Sequence, residues 1–476
     1  MMISTIIDNK IRYVYELYDE SGTVLKLHDL KHVKNATAAI FRIEVEADFA
    51  DANEELALTD RIPGTNARIT RLGNGTTCLI SFPSKSKVKR LIIPDGVEIL
   101  SELAFQSSSL TELIIPPTVT EISKKCFINS HVKKLSFSGE NNIKSIGDEA
   151  FEGSDICRFV WPSKCETIPE GCFDDSRIEE ISGLENVKRV EGRAFARTHD
   201  LRSIHWPEHC TVIPDACFYE SGITEIKGID GVREIGALAF AKTRSLRDFF
   251  WPKKCTVISE KCFYASKLAH LFGTINVEEI QTAAFAETSD FTLFSWPEKA
   301  ECISKECFLS SGIKFLAGLD NVKHVEASAF EGTSNLNQIK WPKGCTSIPE
   351  RCFLLSGIKK ISGIEDVTEI GANAFTNSKV EDFTWPEKCP VIPHDCFYGC
   401  KNLRIAIKAS CNSFCIMLPS LEPECIEGEI DVTECDDISL QAVFPQVFIP
   451  GEYLEQCANN IIARMRKSFD SRIKIL

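Results

Sequence analysis

The stretch "WPEHCTVIPDACF", residues 206–218, sets Cys210 and Cys217 with six residues between them in a run that also holds Trp206 and His209. Thiolates with an imidazole can hold zinc, and a thiol pair can cycle between dithiol and disulfide. Either chemistry requires the set to recur intact wherever the phrase recurs. It does not. His209 gives way to Lys254, Gly344 and Lys388 in sister stretches, as in a solvated loop. At Ala300 the first cysteine is missing, with Cys302 two residues on. Cys396-x3-Cys400 and Cys411-x3-Cys415 are the other pairs with ligand-like spacing. No nucleophile-elbow, Walker or dinucleotide phrase occurs. No catalytic residue, metal site or cofactor is expected.

The cysteines fall on a grid instead. Cys165, Cys210, Cys255, Cys345 and Cys389 take the slot that Val97 and Val119 hold earlier in the chain. Cys126, Cys172, Cys217, Cys262, Cys307, Cys352 and Cys396 take the slot of Ala104, Ala150 and Ala194. Both are positions for a small hydrophobe, and free cysteine behaves as one.

The grid comes from a repeat. "WP" occurs at Trp161, Trp206, Trp251, Trp296 and Trp341 at a spacing of 45, and then at Trp385 after 44. The true unit is half as long and is marked by a small residue before phenylalanine: Phe105, Phe127, Phe151, Phe173, Phe195, Phe218, Phe240, Phe263, Phe285, Phe308, Phe330, Phe353, Phe375 and Phe397. That makes 14 units of about 22.5 residues. Each begins with apolar residues at positions 1, 4 and 6, such as Leu110, Leu113 and Ile115, which predicts a short strand. Pro, a loop, an apolar pair such as Val119 and Ile122, and a short helical turn carrying the Phe follow. A Ser or Thr sits three residues beyond most of the phenylalanines. One rung cannot bury its own apolar edge, whereas stacked rungs share a core.

Residues 110–130, "LTELIIPPTVTEISKKCFINS", together with "CFYGCKNL" at the last unit, resemble the BspA-type leucine-rich repeat. That family occurs in bacterial surface antigens and in anaerobic protists. The resemblance covers roughly residues 86–476 and implies an α/β repeat solenoid, a leucine-rich-repeat ladder or horseshoe. A parallel sheet would line one face, with helical turns or irregular structure on the other. Cys400 matches the family's structural cysteine, which leaves Cys411 and Cys415 without a role. "VFIPGEYLEQCANNIIARMRKSFDSRIKIL" resembles the family's C-terminal closure, a strand and a helix. The family does not require the alternation of "WP" rungs with Gly rungs. Gly183, Gly228, Gly273, Gly318 and Gly363 stand where the neighbouring rungs have Trp. Rungs about 4.8 Å apart cannot stack two flat indoles, so each Trp is expected to fill space its Gly neighbour vacates. A role for the Trp as a ligand-stacking platform is the alternative.

Domain limits follow: 1–85 as an N-terminal cap with a hairpin in "IRYVYELYDESGTVLKLHDL", 86–408 as the solenoid, and 409–476 as a closing segment. The closing segment contains an acidic loop, Glu422 to Asp437, and the helix. Neither flank is long enough for most catalytic domains. Hydrophobic content of 43% and charged content of 26% describe an ordered globular chain. A net charge of −14 argues against nucleic acid and against an anionic membrane surface. No apolar run is long enough to span a bilayer. The first residues lack a secretory pattern, which with 21 cysteines points to the cytoplasm. The family resemblance points to the cell surface.

Function is therefore expected on the outward side of the strands, a ladder of roughly 65 Å suited to a protein or glycan partner. Outward positions are mostly polar, as in Arg202, Ser203 and His205. Mid-array they are not. Phe250 and Phe272 share one strand position on consecutive rungs, and Leu293 and Phe315 share another on the next two, with His270 beside them. Such a patch marks an interface unless a flank or sheet curvature covers it. A non-enzymatic interaction protein results, either a surface antigen or adhesin or an intracellular scaffold, of open oligomeric state.

Overall fold

A computed structural model describes residues 76–401 continuously, residues 65, 67–71 and 403–407, and the strands Met2–Ile6, Arg12–Tyr18, Val24–Leu27, Ala38–Ile40, Phe414–Leu418, Gly428–Asp431 and Ile438–Ala442. The chain is a repeat solenoid of parallel strands. It divides into two compact units, one of residues 1–210 with 221–228, the other of 211–220 with 229–476.

In the first unit the strands Arg90–Ile92, Glu112–Ile115, Lys134–Phe137, Arg158–Val160 and Glu180–Ser182 form one parallel sheet. In the second unit the corresponding strands pair two by two up to Lys360–Ser362, and Asp382–Trp385, Leu403–Ile407 and Gly428–Asp431 form a three-stranded sheet. Asp248–Phe250 pairs with His270–Phe272, Leu293–Ser295 with Phe315–Ala317, and Gln338–Lys340 with Lys360–Ser362. Each three-residue strand alternates outward, inward, outward, because successive side chains point to opposite faces. A second layer of two-residue strands, such as Val257–Ile258 with Glu279–Ile280, closes the other side of the rung.

The expected helical turn does not form. Two residues per rung, at the positions two before and two after the core Phe, have left-handed backbone. In the rung of Phe127 they are Lys125 (φ 55°) and Asn129 (φ 53°). A helix cannot pass through them. A non-glycine residue there costs about 1–2 kcal/mol. The geometry is held because it aims backbone N–H groups along the array. Lys125, Phe127 and Asn129 donate to the carbonyls of Asp148, Ala150 and Glu152 at 3.0, 2.8 and 2.8 Å. The rung is therefore strand, strand and turn, and the α/β label gives way to a β-solenoid. Among the described residues the helical pieces are three-residue 3-10 turns: Ile229–Gly231, Thr274–Asn276 and Leu319–Asn321.

The core phenylalanines form a column within each unit, with ring centroids 4.9–5.9 Å apart from Phe82 to Phe195 and 5.2–6.0 Å apart from Phe218 to Phe397. The hydroxyl residue three beyond closes the turn. Thr243 donates to the carbonyl of Phe240 at 2.8 Å, and Thr288 does the same to Phe285 at 2.6 Å.

All six tryptophans are core residues. Trp251 stands edge-on to Phe263, with centroids 6.1 Å apart at 60°. Its Nε1–H donates to the carbonyl of Cys255 at 3.1 Å. The same bond, from each Trp to the residue four beyond, recurs in every Trp rung. It uses the backbone, so it persists at Trp296, where that residue is Ala300.

The partner glycines do something other than make room for indoles. Each has φ of +77 to +79°. A Cβ on Gly273 would lie 2.9 Å from the carbonyl oxygen of Trp251, and one on Gly318 would lie 2.7 Å from that of Trp296. Glycine is required by the backbone turn and by this close approach, and the indole ring is not among its nearest neighbours.

At the N-terminal flank Arg12–Tyr18 and Val24–Leu27 pair antiparallel, as a hairpin does. Part of the segment expected as an acidic loop is instead a strand. Gly428–Asp431 pairs parallel with Leu403–Ile407, continuing the ladder. Cys415 lies in Phe414–Leu418, opposite Val391. Cys411 and the helix expected near the C-terminus lie outside the described residues. No described helix is long and apolar enough to cross a membrane.

Candidate protein-interaction face

Cys210, Cys217, Cys396 and Cys400, suspected of chemistry, are buried core groups. Burial pushes Cys210 up to about 11, and Cys165, Cys255 and Cys345 up to about 12. Burial also pushes the wholly enclosed Cys126, Cys172 and Cys262 well above the usual thiol range. A nucleophile or metal ligand needs the thiolate, and these sites suppress it. Cys210 and Cys255 instead point their S–H groups at the carbonyls of Val187 and Val232, each at 3.5 Å. Cys400 donates to the carbonyl of Phe375 at 3.0 Å. His209 is exposed.

The outward side of the strands carries the contrast. In the second unit Phe250, Phe272, Leu293 and Phe315 are 69%, 44%, 58% and 52% exposed. Register brings them into two adjacent pairs. Phe250 sits opposite Phe272 with rings stacked at 4.9 Å and 26°, and Leu293 sits opposite Phe315. The first pair occupies the last outward position of its strands and the second pair the first, so the patch runs diagonally across four rungs. His270 flanks it, 6.0 Å from the Phe272 ring, with Nδ1 2.7 Å from Asp248 Oδ1. Lys314 Nζ lies 5.3 Å from the Phe315 ring centre, within cation–π range.

An ion cluster borders the start of these strands. Arg247 and Lys267 reach Asp290 at 2.9 and 3.6 Å. Partial burial raises the Asp290 carboxyl, but bonds from Ser289 and Arg247 and the charges of both cations outweigh it. The group is held below the usual carboxylate range.

One member of the face escapes a strand-only reading. Ile275, on the 3-10 turn after Gly273, is 72% exposed. Its equivalents two residues beyond the other glycines are Glu185, Asp230, Asp320 and Glu365. Alignment of the double rungs exposes this swap of an acid for isoleucine, which periodicity alone does not. A cavity of about 280 Å³ also opens beside Ala317, lined by Gly318, Asp320, Lys340, Pro342 and Lys343 among others.

The rungs' two-fold strand layers, stacked Phe column and left-handed turns now have a family to set them beside. The model of the BspA type leucine rich repeat region matches residues 80–201, 190–314 and 278–404. This chain belongs to the BspA-type leucine-rich repeat family. Among solved structures, a leucine-rich repeat protein from Bacteroides ovatus shares 20% identity and a TM-score of 0.55, over 79% of this BspA-type chain and 98% of that one. A leucine rich cell surface protein from Faecalibacterium prausnitzii shares 19% identity over 83% and 97%, with a TM-score of 0.37. The pneumococcal vaccine antigen PcpA shares 16% over 79% and 97%, with a TM-score of 0.41. No curated protein matches the BspA-type chain.

Proposed function

We propose that this chain is a non-enzymatic interaction module that captures a protein partner on the strand-lined face of its second unit. Residues 86–408 form the binding array, which the strand Gly428–Asp431 extends. The observation that carries the reading is the patch of Phe250, Phe272, Leu293 and Phe315, each about half exposed or more on a face that is otherwise polar. Exposed aromatic clusters with a charged rim mark interfaces, where a few aromatic anchors carry most of the binding energy. His270 and Lys314 supply polar contacts at the edge.

At the finer level we propose a surface antigen or adhesin, the role that the resemblance to the BspA-type family implies. A second reading, an intracellular scaffold, is favoured by the 21 cysteines, a number that suits a reducing compartment.

Two experiments test this. Phe250→Glu combined with Phe315→Glu leaves circular dichroism and the thermal midpoint unchanged while abolishing partner capture from extracts of the source cells. Unchanged capture, or loss of folding, overturns the site. Biotinylation of intact cells labels the chain if it is an adhesin, and labelling only after lysis selects the scaffold.

A further inference from the structure

The strand face beyond the patch carries a bias toward positive charge. On the strands that follow Leu293, the outward residues are Lys314, Phe315 and Ala317, then Asn337, Gln338 and Lys340, then Lys359, Lys360 and Ser362. Four lysines and no carboxylate occupy these outward strand positions, in a chain of net charge −14.

The carboxylates near the face are already engaged. Asp248 is bound by His270, Asp290 by Arg247 and Lys267, Asp320 by Lys340 at 3.8 Å, and Glu381 by Lys359 at 2.7 Å. Lys314 and Lys360 have no ion pair among the described residues; Lys314 lies only against the Phe315 ring. Exposed cations left over beside exposed aromatics describe a surface complementary to something both acidic and apolar.

Resting on the interaction reading above, we propose that the occupant of this face is an acidic amphipathic polypeptide segment. Its apolar side chains cover Phe250, Phe272, Leu293 and Phe315, and its carboxylates lie over Lys314, Lys340 and Lys360. The distance fits. From the rung of Phe250 to that of Lys360 is five steps of about 4.8 Å, roughly 24 Å. About seven residues of extended chain or about sixteen of helix span it. The cavity beside Ala317 lies along this path, and Lys340 and Lys343 at its rim receive one acidic side chain. The 3.8 Å contact of Lys340 with Asp320 is loose and exposed, so an incoming carboxylate displaces it at small cost.

The test is a display library of random peptides about a dozen residues long, selected on the full-length protein at low salt. Enriched peptides are expected to combine aromatic or aliphatic residues with several Asp or Glu, and to bind roughly tenfold more weakly at physiological ionic strength. Lys340→Glu with Lys360→Glu should lower their affinity at least about tenfold and favour lysine-bearing peptides in a repeat selection. Phe272→Ser should abolish binding of both sets. If Phe272→Ser abolishes binding but the charge reversal changes nothing, the acidic-segment proposal falls and the patch stands. If neither variant matters, both fall. Recovery of neutral or basic peptides from the unmodified protein overturns the proposal. So does retention on immobilised sulfated polysaccharide with no peptide enriched. Concentration-dependent self-association that Phe272→Ser removes, again with no peptide enriched, replaces the acidic segment by a second copy of the chain.

Discussion

At the scale of single residues the glycines and tryptophans divide the labour differently from how their sizes suggest. Gly273 is fixed by a φ of +78° and by a carbonyl 2.9 Å from where its Cβ would stand, and neither constraint involves the indole ring of Trp251. Gly96 has a φ of +95° but open space around it. Gly96→Ala therefore pays only conformational strain, about 1 kcal/mol, whereas Gly273→Ala adds a backbone clash and should cost about 2–4 kcal/mol. Urea midpoints of the two variants measure the difference, and equal midpoints would show the clash relaxes freely. Trp251→Phe removes the donor to the Cys255 carbonyl and leaves a void, for an expected loss of about 2–4 kcal/mol. Trp296→Phe should cost the same, since the acceptor at Ala300 is also a carbonyl. A tolerated change at Trp296 alone would mean the cysteine thiol matters to this bond.

The rung as an element was largely legible in the sequence. Apolar positions 1, 4 and 6, the two small-residue slots and the core Phe each project their physics directly onto residue type: burial selects Leu110, Leu113 and Ile115, and limited volume selects Ala104 or Cys126. The turn around Phe was not legible. Its left-handed positions are filled by Lys125, Arg193, Leu238 or Glu306 as readily as by Gly171 or Asn129. The conformation is imposed by hydrogen bonds to the next rung, which residue type does not encode. The patch was legible as outward phase plus apolar type. Ile275 was missed because it lies on a turn and stands out only against its acidic equivalents. The paired Trp and Gly rungs predict how the array tolerates shortening. Removing residues 286–330 deletes one full double rung and joins Phe285 to the residue after Phe330, so a Trp rung still follows a Gly rung. That variant should unfold cooperatively, with a denaturant slope lower by about a tenth. Removing residues 286–308 deletes one rung, sets two Gly rungs side by side without Trp296 and Phe308, and should cost at least about 3–5 kcal/mol. Equal stability of the two deletions would show that the alternation has no packing role.

Across the whole molecule the cysteines act together as a reservoir of suppressed acidity. A thiol in the unfolded chain ionises near pH 8.5. Native Cys78 and Cys210 do so only at about 11, and Cys165, Cys255 and Cys345 at about 12. Below pH ~8.5 the thiols are protonated in both states, and this contribution to stability is intact. Between that pH and the folded values the unfolded chain sheds protons that the native chain keeps, so unfolding is favoured as pH rises. Each such thiol tilts stability by about 1.4 kcal/mol per pH unit. Five together tilt it by about 7 kcal/mol per unit, comparable to the entire stability of an ordinary domain. The protein should therefore unfold in a steep alkaline transition, with its buried thiols reacting with a disulfide reagent during that transition and not before. Replacing Cys165, Cys210, Cys255 and Cys345 by Val is accommodated by the slot that Val97 and Val119 already occupy. Those four changes should flatten the alkaline slope of stability by about 5 kcal/mol per pH unit while leaving the midpoint at pH 7 nearly unmoved. Denaturant titrations of both proteins at a series of pH values read the two slopes. A variant slope matching that of the parent would assign alkaline unfolding to the lysines and tyrosines and remove the thiols from the account.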